Sequence, residues 1–102
     1  MAEKPPRATA RGFESLILRE MAFAYALYSP EHDRYYIGST RDLEKRLKAH
    51  HNGKVRSTKT YRPWKLVYSE HFETYTEARK REIFLKTGAG RKWIKEDIKK
   101  YV

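Results

Sequence analysis

Cysteine is absent from the 102 residues. That excludes a disulfide framework and any cysteine-ligated zinc or iron–sulfur site. Long apolar runs are also missing, and no stretch approaches the ~20 residues needed to span a bilayer. The first twenty residues lack the apolar core of a secretory signal, so the cytoplasm is the default expectation. Acid is scarce relative to base: 13 Asp and Glu stand against 23 Lys and Arg, a formal charge of +10. Such an excess on so short a chain favours a polyanion, nucleic acid first, over the plainer reading of a soluble basic surface. The length suits a single domain with a modest core.

The charge is concentrated. Residues 41–65 hold nine Lys or Arg against two acids. Upstream, residues 1–20 include Pro5-Pro6 and a polar start, and are expected to form a flexible tail before a domain at 21–102. Met21, just before the first strand, could serve as an alternative start of translation.

Residues 22–29 are aromatic and small-apolar, end at Pro30, and predict a strand. A polar turn of about five residues leads to a second strand at 35–39, making a hairpin. A turn centred near residue 31 sets Tyr25 opposite Tyr36 or Ile37, with the two tyrosines on one face. Ser39 or Thr40 is the expected cap of a helix over 41–51, whose apolar stripe is Leu43 and Leu47. Arg46 and His50 flank that stripe and should border the sheet. Asn52-Gly53 ends the helix, and a basic loop covers 54–64. Residues 65–72 alternate as a third strand. Thr74 with Glu77 forms a capping box opening a helix over 75–86, which Gly88 and Gly90 should end. A last helix over 91–100 puts Trp93 or Ile94, Ile98 and Tyr101 on one side. The expected fold is a small α+β domain, a three-stranded antiparallel sheet flanked by three helices in the order β-β-α-β-α-α.

Glu82 interrupts the second long helix. It shares the stripe of Ala78 and Leu85, so its carboxylate must be paired or bind a cation. An ion pair with an arginine such as Arg46, an edge position reaching solvent, and a metal ligand all satisfy that demand. Arg46 is either a solvated member of a basic face or a fixed cation. His50 and His51 fit a helix end as surface residues, and the tyrosines fit a sheet as plain aromatics. Taken together these groups supply what phosphodiester hydrolysis requires: an ion ligand, a fixed cation, a proton acceptor and a basic track. Arg41, Lys54, Arg56, Lys59 and Arg62 are the candidates for that track.

This set resembles the GIY-YIG nuclease superfamily. The second motif is intact as Tyr36-Ile37-Gly38, and the first survives as Phe23-Ala24-Tyr25 with its tyrosine eleven residues before Tyr36. Arg46, His50 and Glu82 fall where the superfamily has an arginine, a histidine one turn later and a glutamate on the next long helix. Ser57-Thr58-Lys59 and Arg62-Pro63 look like its small stand-alone branch, which is similar to the nuclease domain of the bacterial excision-repair incision subunit. The late asparagine of many members has no equivalent here. The resemblance implies a DNA endonuclease, RNA remaining open as a partner, using one Mg²⁺ or Mn²⁺ held by Glu82. It gives Tyr25, Tyr36, Arg46, His50 and Glu82 catalytic roles, with Tyr25 the proton acceptor and Arg46 the phosphate clamp. A binding module that kept the fold and lost catalysis is the alternative favoured by the altered first motif.

Overall fold

The first strand, β1 (Ala22–Ser29), is buried along most of its length. A strand covered on both faces needs no polar alternation, which is why this stretch is apolar almost throughout. It is the central strand of a three-stranded antiparallel sheet, between β2 (Arg34–Thr40) and β3 (Lys65–Phe72), in the order β2-β1-β3. This computed structural model describes residues 21–98, so the expected tail at 1–20 lies outside it. The helices are α1 (Leu43–His51), α2 (Tyr75–Leu85) and α3 (Gly88–Ile98), with a 3₁₀ turn at Lys59–Tyr61 inside the basic loop. The α+β class and the order β-β-α-β-α-α are as expected. Among the described residues no helix is long and apolar enough to cross a membrane.

Side-chain size separates the two faces of β1. Ala22, Ala24 and Ala26 point one way, and their small side chains let α2 lie against β1 and β2. Ala26, Ile37, Leu85 and Ile94 form the core on that side. Tyr25 and Leu27 point the other way and pack with Trp64, flanked by Leu43 and Leu47 of α1. The sheet is thus the middle layer, with α1 and the basic loop on one side and α2 and α3 on the other.

Several local expectations are corrected. The hairpin loop has four residues, Pro30 to Asp33, so Tyr25 pairs with Gly38 and Leu27 with Tyr36. The two tyrosines still share a face, because Tyr36 and Gly38 are two apart. Asp42 caps α1, its carboxylate accepting from the Lys45 amide at 3.0 Å; Ser39 and Thr40 remain in the strand. Gly53, at φ 73°, follows the Asn52 cap in the left-handed conformation that ends α1. In β3 the pairing shifts opposite Ala26 and Leu27, and Val67 is the extra residue of a bulge. Val67 and Tyr68 therefore both pack toward α2 and α3.

The junction of α2 and α3 differs most. Gly88 and Gly90 lie in the first turn of α3 and terminate nothing. Lys86 closes α2, and the Thr87 hydroxyl accepts from the Gly90 amide at 3.1 Å while donating to the Phe84 carbonyl at 2.6 Å. A Cβ at Gly90 would stand 2.2 Å from that carbonyl, so only glycine lets α3 start so close to α2. Of the two alternatives Ile94 is the buried one and Trp93 is exposed, whereas the expectation for Ile98 and Tyr101 falls outside the description. Thr74 caps α2 as expected, accepting from the Glu77 amide at 3.2 Å.

Candidate active site

Gly38 has no side chain, and the Tyr25 ring lies where one would be. A Cβ at Gly38 would come within 2.7 Å of the Tyr25 hydroxyl. Tyr36 stands beside it, with ring centroids 6.2 Å apart. Above them α1 presents Arg46 and His50 on successive turns, as their spacing of four requires. The Tyr25 hydroxyl is 2.9 Å from His50 Nε2, and the Arg46 guanidinium interacts with both phenols. Four of the five expected site residues thus meet on the α1 side of the sheet.

Thr58 orients His50. Its hydroxyl donates to the Val55 carbonyl at 3.3 Å and stands 2.8 Å from His50 Nδ1. With its hydrogen committed to Val55, it accepts from Nδ1–H. Nε2 is then the bare nitrogen, and Tyr25 donates to it. Tyr25, His50 and Thr58 are all fully buried. Burial pushes the His50 imidazole down to about 4, aided by the Arg46 and His51 charges. Burial also pushes the Tyr25 phenol up to about 12; the bond from Arg46 opposes this, while Tyr36 and Glu82 add to it. Arg46 is raised, chiefly by its bond to Tyr25.

Glu82 lies in the opposite layer, on the α2 side of the sheet. It is buried on α2 with Ala78 and Leu85, as the stripe requires. Neighbouring strand residues face opposite ways, so Ser39 turns toward α2 where Gly38 turns toward Tyr25. The Ser39 hydroxyl donates to Glu82 Oε1 at 2.5 Å, Arg79 lies 2.8 Å from the same oxygen, and Lys86 Nζ lies 2.7 Å from Oε2. Burial alone would raise this carboxyl, but the bonds from Lys86, Ser39 and Arg79 outweigh it and hold it low. Arg46, the partner considered from sequence, serves the tyrosines instead. Glu82 is linked to Tyr25 through its charge, across the Gly38-Ser39 step.

Among the described residues no three His, Asp or Glu gather as a metal cage. A lone ionised carboxylate still suits a hard cation such as Mg²⁺, which binds through one or two carboxylates and keeps several waters. The Glu82 oxygens meet that requirement if the incoming ion displaces or shares the Lys86 contact.

The expected basic track divides. Arg41, Lys54, Arg56 and Lys59 are exposed, Arg41 lying 4.8 Å from the centre of the Tyr75 ring. Arg62 is exposed but committed internally, donating to the carbonyls of Lys59 at 3.0 Å and His51 at 3.2 Å. The loop itself is pinned: Trp64 Nε1 donates to the Thr58 carbonyl at 2.7 Å, and Ser29 to that of Tyr61 at 2.7 Å. Sequence reasoning missed Thr58, Ser39 and Lys86 as members of the site. Lys86 had a signal, four residues after Glu82 on the same helix, and Thr58 had one in the family-like stretch Ser57-Thr58-Lys59.

The GIY-YIG catalytic domain model matches residues 21–95. A UPF0213 protein of Staphylococcus saprophyticus is 46% identical over 61 residues, covering 59% of this chain and 74% of that protein. One from Clostridium perfringens is 43% identical over 67 residues, covering 65% and 71%. The UPF0213 protein YazA of Bacillus subtilis is 43% identical over 53 residues, covering 51% and 54%. No solved structure matches the chain significantly.

Proposed function

The chain belongs to the GIY-YIG catalytic domain family, a family of nucleases, and we propose that it is a divalent-metal-dependent endonuclease hydrolysing DNA. Branched or damaged DNA, met in repair or recombination, is the substrate class this reading favours. One observation carries it: the Tyr25 phenol packs on Gly38 with Tyr36 and Arg46 beside it, and the next strand residue, Ser39, bonds the buried ionised Glu82 carboxylate.

Arg46 would clamp a non-bridging phosphate oxygen through its fork of donors. Tyr36 would orient the attacking water or the phosphate through its hydroxyl. Tyr25 would take the proton of that water while passing its own to His50 Nε2, so that no free tyrosinate forms. A phenol at about 12 cannot act as a base alone near neutrality, and this transfer removes the need. His50 begins neutral, as an acceptor must, although the burial that keeps it neutral weakens its basicity. The phosphate's negative charge would strengthen it on binding. Glu82 would hold one Mg²⁺ or Mn²⁺, which when bound stabilises the leaving oxygen and the extra phosphate charge.

A second reading is a non-catalytic DNA-binding module. It draws on the Glu82 carboxylate, already neutralised by Lys86 and Arg79, and on the Tyr25 hydroxyl, fully buried against His50. The two readings part on Arg46→Ala. Under catalysis, plasmid nicking with Mn²⁺ falls by at least about 10²-fold while DNA binding changes little. Under binding alone, wild type does not nick at all.

A further inference from the structure

The β2 edge opens onto a groove of about 510 Å³ that wraps from the loop layer to α3. Its rim carries Arg34, Lys86, Arg91 and Lys95 against one acid, Asp33, which already accepts from the Tyr28 hydroxyl at 3.0 Å. None of these four cations belongs to the basic track expected from sequence. The walls are aromatic: Tyr35, Tyr36 and Tyr61 line it. Arg34 lies 4.3 Å from the centre of the Tyr61 ring, and Lys95 lies 5.9 Å from that of Tyr35. The planar guanidinium of Arg34 on the Tyr61 ring extends the stacking surface, and Lys95 adds a point charge beside Tyr35. β2 pairs only with β1, so the strand's outer edge also faces the groove.

We propose that this groove binds a single-stranded DNA segment and leads it to the candidate active site, an inference that rests on the nuclease reading for its endpoint. Size argues for a single strand. The cavity has the volume of a small-molecule pocket, room for roughly one or two nucleotides, whereas a duplex would span its mouth. The lining argues the same way, because tyrosine and arginine planes can stack only on bases released from pairing. Continuity supplies the endpoint: Tyr36 lines the groove and stands beside Tyr25 in the candidate site, and Lys86 lines it and pairs with Glu82. The favoured substrate is therefore an overhang or flap whose free strand lies along β2.

The test measures binding of the full chain in EDTA, by fluorescence anisotropy, to labelled dodecathymidine and to a blunt duplex of equal length. Wild type is expected to bind the single strand more tightly than the duplex. The double variant Arg91→Ala, Lys95→Ala should lose single-strand affinity by about tenfold or more and duplex affinity by less. Its salt slope on the single strand should fall by about 1.4, two contacts at about 0.7 each. Both residues are exposed, so circular dichroism should be unchanged. Lys54→Ala, Lys59→Ala, on the loop, should weaken both substrates alike. Equal loss on both substrates for the groove variant, or no loss, overturns the proposal. Because no metal is present, a chain that never cleaves can still pass this test, and a cleaving chain can still fail it.

Discussion

Gly38 joins the two halves of the site, since the space it leaves is filled by the Tyr25 phenol. Gly38→Ala would bring a methyl within 2.7–3.0 Å of three Tyr25 atoms, on a fully buried ring with nowhere to swing. Overpacking of that kind costs about 1–3 kcal/mol. Urea unfolding should register the loss, and activity should fall further as the hydroxyl leaves His50. His50 gives stability a pH dependence whose sign follows from its shift. The unfolded imidazole takes a proton near 6.5 and the folded one near 4. Unfolding therefore takes up a proton in that window, and stability should decline as pH falls from about 6.5 to about 4. His50→Asn should flatten that limb of the denaturation midpoint against pH; an unchanged slope would assign it elsewhere. Thr58→Val removes the acceptor of Nδ1–H, so ¹⁵N shifts of His50 should move toward the other tautomer and turnover should drop by up to about 10²-fold. Thr58→Ser should restore both.

At the scale of elements, what the sequence revealed depends on which contacts decide each feature. The strand expected over 22–29 is found at Ala22–Ser29, and that over 65–72 at Lys65–Phe72. Local composition and the flanking turn residues mark both. The hairpin register differs by one residue from the Ile37 alternative and by two from the Tyr36 one, because a four-residue and a five-residue loop look alike in a polar stretch. The glycines at 88 and 90 open a helix where their pattern predicts an end, for a related reason. A glycine after a helical pattern usually ends it, whereas Gly90 is required by the backbone of a different helix, which no local pattern reports. Glu82 lies on the buried stripe that its spacing predicts, since Ala78, Glu82 and Leu85 are the buried residues of α2. Its partners came from the same helix and from Ser39, which only the tertiary fold supplies. Two substitutions separate the local and non-local effects. Thr74→Ala should cost about 1 kcal/mol through the lost cap. Gly90→Ala should cost more, since Leu85 and Phe84 backbone atoms lie within 3 Å of the added methyl. Thermal melts of the two variants would rank them.

For the whole molecule, a charge of +10 makes polyanion binding easy and leaves catalysis unexplained. The catalytic account depends on an acid from α2 and phenols from β1 and β2 acting at one phosphate, through the two faces of a single strand step. Removing the acid is the direct probe, and the fold should tolerate it. Its partners Arg79 and Lys86 are about half exposed, at 52% and 49%, so neither becomes a buried unpaired charge. The decisive measurement is nicking of supercoiled plasmid and of branched DNA by wild type and Glu82→Ala, each with Mg²⁺, with Mn²⁺ and with EDTA. Nicking by wild type that requires the ion and disappears in Glu82→Ala, with DNA binding retained, is the predicted result. Wild type that never nicks, or a variant that nicks equally well, contradicts the account.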